Sequence, residues 1–405
     1  MKPTDIVFLV HDVSRVGGIS RRTLNTLNGS AGRDVRYWCF SARNAGGLER
    51  PDVTFIHDDK SVLDAALAAL PPLTTVLVSA NTVIRRFWDL SPHLTNYPLI
   101  HLHAGQITWF IQNNRLAGDI DFVQRYRAQA VIALTRADAL VQRQMGLHGQ
   151  DIVSPPCPQR DRNDYDPKIN TRIGYVGRID YPTKGTDQLL PIIREMRERK
   201  MDPMLVYTTD GKNSPDLPRF EASLQEFGLT NAVEIVKDCT DPGVIYRKLA
   251  FVLVPSRQES FGNVVTEALS HGVPVIATRY APGPAEIIRD LDCGFLLDRF
   301  EPRSVLDRAN LSLTQRRAMS EAAFARHRDF TLDAYYDALE DVVARAIDAK
   351  AAGVSLPVYP ELAAVADPPA ALLKRICPPP TDKRAKSKKD LRPKSFSRRL
   401  RRLMG

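Results

Sequence analysis

The sequence is short of the features that would take it out of a reducing, aqueous setting. Its five cysteines (Cys39, Cys157, Cys239, Cys293 and Cys377) are scattered. That spacing excludes a Cys-x-x-Cys zinc or redox pair and argues against a disulfide framework, so they read as small buried hydrophobes. No apolar run approaches the ~18–20 residues of a membrane-spanning helix. The opening Met1-Lys2-Pro3-Thr4-Asp5 leads straight into an apolar stretch at 6–10, and a signal peptide is not expected. His-Glu-x-x-His and Gly-x-Ser-x-Gly are both missing, which leaves zinc peptidases and serine hydrolases without support.

The body of the chain also lacks net charge. The whole sequence carries +9, but 11 Lys and Arg against 2 Asp fall between Thr381 and Gly405. Without that tail, the 56 basic and 47 acidic residues reduce to 45 of each. A basic groove for nucleic acid is thereby disfavoured, and no specific nucleic-acid partner is expected.

What is present is a twice-repeated alternation of apolar strands and amphipathic helices over 405 residues, enough for two domains. Strand-like runs occur at 6–10, 35–40, 53–56, 75–79, 99–102 and 131–134, with helical patterns at 19–27, 61–70 and 137–145. The alternation resumes with strands at 173–176, 204–207, 233–236, 251–254, 275–277 and 294–297. Helices are predicted at 187–199, 219–227, 242–249, 264–270 and 285–288, and two more at 314–327 and 332–349. Continuous apolar strands separated by helices predict parallel sheets covered on both faces. The expected fold is therefore α/β, with two Rossmann-like doubly wound domains and a ligand cleft between them. A Pro-rich stretch at 154–167 marks the boundary. The expected division is 1–165, 166–330, a closing helix at 331–349, and a Pro/Ala linker with a basic tail at 350–405.

Three loops carry candidate chemistry. Gly17 and Gly18 follow the first strand, where glycine lets backbone amides approach an anion at a helix start, although a tight turn explains them equally well. Arg178 and Lys184 lie after the first strand of the second domain (Val176-Gly177-Arg178 to Lys184-Gly185). Such cations can offset a diphosphate, or they are solvated loop charges. The most specific run is Glu259-Ser260-Phe261-Gly262-Asn263-Val264-Val265-Thr266-Glu267. There a buried strand feeds a loop with one carboxylate and a helix with another, and the amides of Phe261, Gly262, Asn263 and Val264 lie at the helix start.

Glu259 and Glu267 with seven residues between them, together with Arg178, Lys184, the Gly17-Gly18 loop, His271-Gly272-Val273-Pro274 and Gly283-Pro284-Ala285-Glu286, resemble the retaining GT-B glycosyltransferases of family 4 (glycosyltransferase group 1). The resemblance covers most of 1–349 and is strongest in the second domain. It implies a donor that is a nucleoside-diphosphate sugar, a glycan or lipid-linked acceptor docking on the first domain, and no cofactor or metal. Arg178 and Lys184 would offset the departing diphosphate, Glu259 would bind sugar hydroxyls, Glu267 the ribose, and Gly18 would lie over the diphosphate. The family's histidine facing the donor sugar falls on His103, one step beyond a strand, whereas His101 reads as packed within it. The residues leave two alternatives open, a non-catalytic scaffold of the same fold and a nucleotide-sugar epimerase.

Two acidic pairs, Asp119/Asp121 and Asp290/Asp292, follow no clear buried strand and read as surface carboxylates. Trp109 and Phe110 read as core packing or as an acceptor pocket. In the tail, Phe396, Leu400, Leu403 and Met404 fall on one side of a short helix, opposite Arg398, Arg399, Arg401 and Arg402. Such a stripe suits an anionic membrane surface, so the expected location is cytoplasmic with peripheral membrane contact.

Overall fold

The computed structural model describes residues 5–10, 34–39, 51–57, 59–72, 74–80, 90–102, 128–144, 151–209, 214–238, 243–288 and 292–354, with Thr26 and Phe87. In the first domain the strands are β1 Asp5–Val10, β2 Val35–Cys39, β3 Val53–Phe55, β4 Thr75–Ala80, β5 Leu99–Leu102, β6 Ala130–Ala133 and β7 Asp151–Ile152. They form one parallel sheet in the order β3-β2-β1-β4-β5-β6-β7. Helix α1, Lys60–Ala68, starts where Asp59 accepts hydrogen bonds from the Ser61 and Val62 amides. Helix α2, Arg136–Gln144, follows β6.

The second domain holds β8 Arg172–Val176, β9 Met204–Thr208, β10 Val233–Lys237, β11 Leu249–Val254, β12 Val275–Thr278 and β13 Gly294–Leu297, all parallel in the order β10-β9-β8-β11-β12-β13. Its helices are α3 Tyr181–Lys184, α4 Leu189–Glu198, α5 Leu217–Glu226, α6 Gly243–Tyr246, α7 Asn263–Ser270, α8 Pro282–Ile287, α9 Pro302–Ala309 and α10 Leu313–His327. Strand side chains alternate between two cores. Phe251 and Leu253 of β11 join α4, α5 and α9 on one face, while Val252 and Val254 join α7 and α10 on the other. Each such fully buried side chain contributes about 1.5–3 kcal/mol.

Both strand orders reverse direction at one place, between β1 and β4 and again between β8 and β11. In doubly wound sheets the loops that follow the strands at such a reversal diverge to opposite faces, and ligands bind in the crevice between them.

The last helix, α11 (Leu332–Ala351), does not stay with the second domain. Its Tyr335, Tyr336, Leu339, Val342, Val343, Ala346 and Ile347 enter the core formed by Ile6, Phe8, Val76, Val78, Ile100 and Leu102. The Tyr336 hydroxyl donates to the Thr26 carbonyl at 3.1 Å and lies 3.4 Å from the Tyr37 hydroxyl. The basic tail and its linker beyond 354 lie outside the described residues.

Where the chain turns back, His327 is fully buried. Its Nδ1 meets the Phe324 carbonyl, which can only accept, so that nitrogen carries a proton, and Nε2 has no hydrogen-bond partner. Burial holds its pKa below the ordinary value, Arg328 and Arg160 push the same way, and the Phe324 contact opposes them. In the unfolded chain the ring takes a proton near pH ~6.5, which the folded ring resists. The stability it confers is complete above that pH and is lost as pH falls toward the depressed folded value. Urea unfolding between pH 7 and 5 should therefore show a steeper loss of stability in wild type than in His327→Gln. The difference is at most about 1.4 kcal/mol per pH unit.

Candidate functional site

The site is built where β8 and β11 end side by side. After β8 the chain passes Gly177 and Arg178 to Asp180, whose carboxylate accepts from the Thr183 amide and starts α3. Pro182 stands in the first turn, where its missing N–H costs nothing. Arg178 Nη2 reaches Asp180 Oδ2 at 2.8 Å and Thr183 Oγ1 at 3.4 Å, and the Arg178 side chain is 47% exposed. Lys184 closes the short helix, and Gly185 turns the chain in the left-handed region at φ 64°. A Cβ at Gly185 would lie 2.1 Å from the Pro255 carbonyl oxygen, so only glycine lets this loop rest against the end of β11.

The β11 loop then brings Glu259 to Lys184, and the two side chains form an ion pair, 12% and 25% exposed respectively. Tyr175 lies beneath, its hydroxyl donating to the Arg178 carbonyl at 2.7 Å. Burial raises its pKa far above the ordinary value, and the carboxylates of Glu259 and Asp180 add to the rise. It is therefore a fixed neutral support.

Helix α7 begins at Gly262, φ 94°, with no side chain capping that end. Phe261 is buried and meets Phe330 edge-on at 5.6 Å, and Val264 packs against the same core. Of these residues the backbone, not the side chain, is what the site can use. Glu267 lies one turn on, and its Oε2 accepts from the Tyr246 hydroxyl at 3.1 Å. The two glutamates thus have different partners, Lys184 for one and Tyr246 for the other. Near Glu267, the thiol of Cys157 is pushed up to about 12, chiefly by burial and less by the Glu267 carboxylate, so it stays protonated and unreactive.

Arg178, Lys184, Glu259, Gly262 and Asn263 are therefore brought to one end of the β8–β11 pair. Gly17, Gly18 and His103 lie outside the described residues, as do Trp109, Phe110, Asp119, Asp121 and Asp290. His101 is buried within β5, and Asp292 is exposed. Tyr246, Asp180, Asp187 and Arg257 join the site although the sequence reading did not single them out. Asp180-Tyr181-Pro182-Thr183 did carry a helix-start signal, an Asp followed by Pro in the first turn. Among the described residues, no group of three His, Cys, Asp or Glu side chains is placed to hold a metal ion.

Two doubly wound domains with this loop constellation define the GT-B arrangement of glycosyltransferases. The HepE protein of Anabaena, solved with UDP and with UDP-glucose, shares it. Against its UDP complex the TM-score is 0.67 at 16% identity, covering 84% of this chain and all of that one. Residues 170–314 match the family model "Glycosyl transferases group 1", and the second domain of this chain is a glycosyl transferases group 1 domain. Among curated relatives, a D-inositol 3-phosphate glycosyltransferase of Corynebacterium urealyticum is 34% identical over 160 residues, which is 37% of each chain. The protein of the same name from Corynebacterium jeikeium is 29% identical over 300 residues, 60% of this chain and 71% of that one. The match to the first thus spans little more than a third of that relative's length.

Helix α8 presses Gly283 against the site loop, and a Cβ there would lie 2.0 Å from the Phe261 carbonyl oxygen. Gly283→Ala must displace the backbone that holds Glu259 and the start of α7. It should destabilise the second domain by about 1–3 kcal/mol, read from denaturant midpoints.

Proposed function

We propose that this chain transfers a sugar, with retention of configuration, from a nucleoside diphosphate to a hydroxyl acceptor on a glycan or lipid-linked carrier. The observation that supports this most is the Lys184–Glu259 pair at the β8–β11 switch point, beside the uncapped start of α7. In this reading the donor displaces the ion pair. Lys184 turns to the diphosphate together with Arg178, and Glu259 takes the sugar hydroxyls. The amides at 261–264 meet phosphate and sugar through the helix's positive end, and Glu267 receives the ribose. The bond from the anomeric carbon to the diphosphate breaks on the face where the acceptor oxygen then bonds, and the acceptor proton passes to a leaving phosphate oxygen. His103, Gly17 and Gly18 would complete the site from the first domain. The neighbours solved with UDP support a uridine donor as the first to try. The reaction proceeds without a metal in this reading, the cations and helix end offsetting the charge.

Two sets of variants test it, once a thermal-shift screen of UDP-, GDP-, ADP- and TDP-sugars has chosen the donor. Lys184→Ala should slow turnover about 10²–10³-fold with little change in melting temperature, and near-normal turnover would sink the role. Glu267→Gln should chiefly raise donor KM, whereas Glu259→Gln should lower kcat as well; identical kinetic changes would refute the division. Transfer should continue in EDTA, and the product should keep the donor's anomeric configuration. Activity lost to chelator and restored by manganese would indicate a metal-clamped diphosphate instead.

The charge and apolar stripe of the tail support a place at the inner face of an anionic membrane in a cell-surface glycan pathway. No helix among the described residues is long and apolar enough to cross a membrane. Removing 381–405 should abolish flotation with anionic liposomes at low salt and leave donor binding intact. Equal flotation of both forms would exclude anchoring by the tail.

A further inference from the structure

Lys184 ends the one-turn helix that follows β8 and Glu259 lies on the loop that follows β11, and their juxtaposition needs something to hold one segment against the other. Helix α3 is a single turn, so its carbonyl groups lack partners within the helix. The Thr183 carbonyl instead accepts the amides of Arg257 and Gln258, at 2.9 and 3.0 Å. Across the same gap Arg257 donates Nη1 to Asp187 Oδ1 at 2.6 Å and Nη2 to Oδ2 at 2.9 Å, and Nη1 also reaches the Tyr181 carbonyl. Gln188 Nε2 adds a bond to the Pro255 carbonyl at 2.9 Å. Asp187 follows Lys184 by three residues and Arg257 precedes Glu259 by two.

We propose that the Asp187–Arg257 pair is a positioning device that fixes the Lys184 ammonium against Glu259, and with it the place where the diphosphate charge is met. The catalytic half of this inference rests on the transferase reading above. Asp187 and Arg257 side chains are 25% and 43% exposed, so the pair adds little to global stability. Its bidentate geometry is what matters, because a planar guanidinium against a carboxylate fixes orientation as well as distance, which an ammonium does not. A catalytic group misplaced by about 1 Å can cost as much as ~10² in rate.

The test uses the full chain as Asp187→Ala, Asp187→Glu and Arg257→Lys. The first readout needs no ligand: the rate at which an amine-acylating reagent modifies Lys184, followed by mass spectrometry with Lys168 and Lys200 as internal references. Lys184 should react severalfold faster in Asp187→Ala and Arg257→Lys, and near the wild-type rate in Asp187→Glu, with melting temperatures unchanged. The second readout is kinetics with the sugar nucleotide that most stabilises the wild type. Asp187→Ala and Arg257→Lys should lose on the order of tenfold or more in kcat with donor KM nearly constant, and Asp187→Glu should recover most of it. Unaltered Lys184 labelling in both variants, or a KM rise at unaltered kcat, overturns the proposal. A wild type stabilised by none of the UDP-, GDP-, ADP- or TDP-sugars would sink the transferase reading alone, and the labelling would still decide the clamp.

Discussion

Parallel pairing of β8 with β11 is the constraint on which the rest of the site depends. The two strands belong to different halves of the doubly wound sheet, yet Phe251 stands beside Ile173 and Leu253 beside Tyr175. Their loops must then leave the sheet from adjacent points. A cation-bearing loop and a carboxylate-bearing loop meet there because each strand ends where the other does. Every close fit nearby serves that meeting. Gly185 rests on Pro255, Gly283 rests on Phe261, and Tyr175 supports the Arg178 carbonyl from below. Lys184 and Glu259 neutralise each other in a sheltered position. Neither charge is left uncompensated where the two loops meet.

The strands were legible because a buried parallel strand must be apolar on both faces: the run at 294–297 coincides with β13, and those at 204–207 and 251–254 needed only small extensions at one end. β7 was not legible, since two residues carry no period, and α3 was lost inside what reads as a loop. Helix α9 at Pro302–Ala309 was also missed, because it is short and mostly polar and buries only Val305 and Leu306. The Glu259–Glu267 spacing was visible because it falls on one strand–loop–helix unit. Partners from elsewhere in the chain were not. Tyr246 comes from a separate one-turn helix, and Asp187 and Arg257 lie 70 residues apart, so nothing in local sequence joins them. Arg178 and Lys184 were ambiguous as bare loop charges, and only their contacts to Asp180 and Glu259 make them part of a built site.

The return of α11 to the first domain gives the molecule a second covalent crossing, beside the one between β7 and β8. The Cys157 amide donates to the Phe330 carbonyl at 2.9 Å, and Gln159 Nε2 reaches the same carbonyl at 3.0 Å, so the two crossings are bonded to each other. A third contact joins the domains. Glu286 of α8 accepts the Arg136 amide at 2.7 Å, so a carboxylate of the second domain sits at the start of α2 in the first. That bond satisfies one of the amides a helix leaves unpaired at its start. It can be kept only while the domains hold this relation, and α8 is the helix whose Gly283 presses on the Glu259 loop. One short helix, α8, thus touches both the start of α2 in the first domain, through Glu286, and the loop that follows Glu259 in the second, through Gly283.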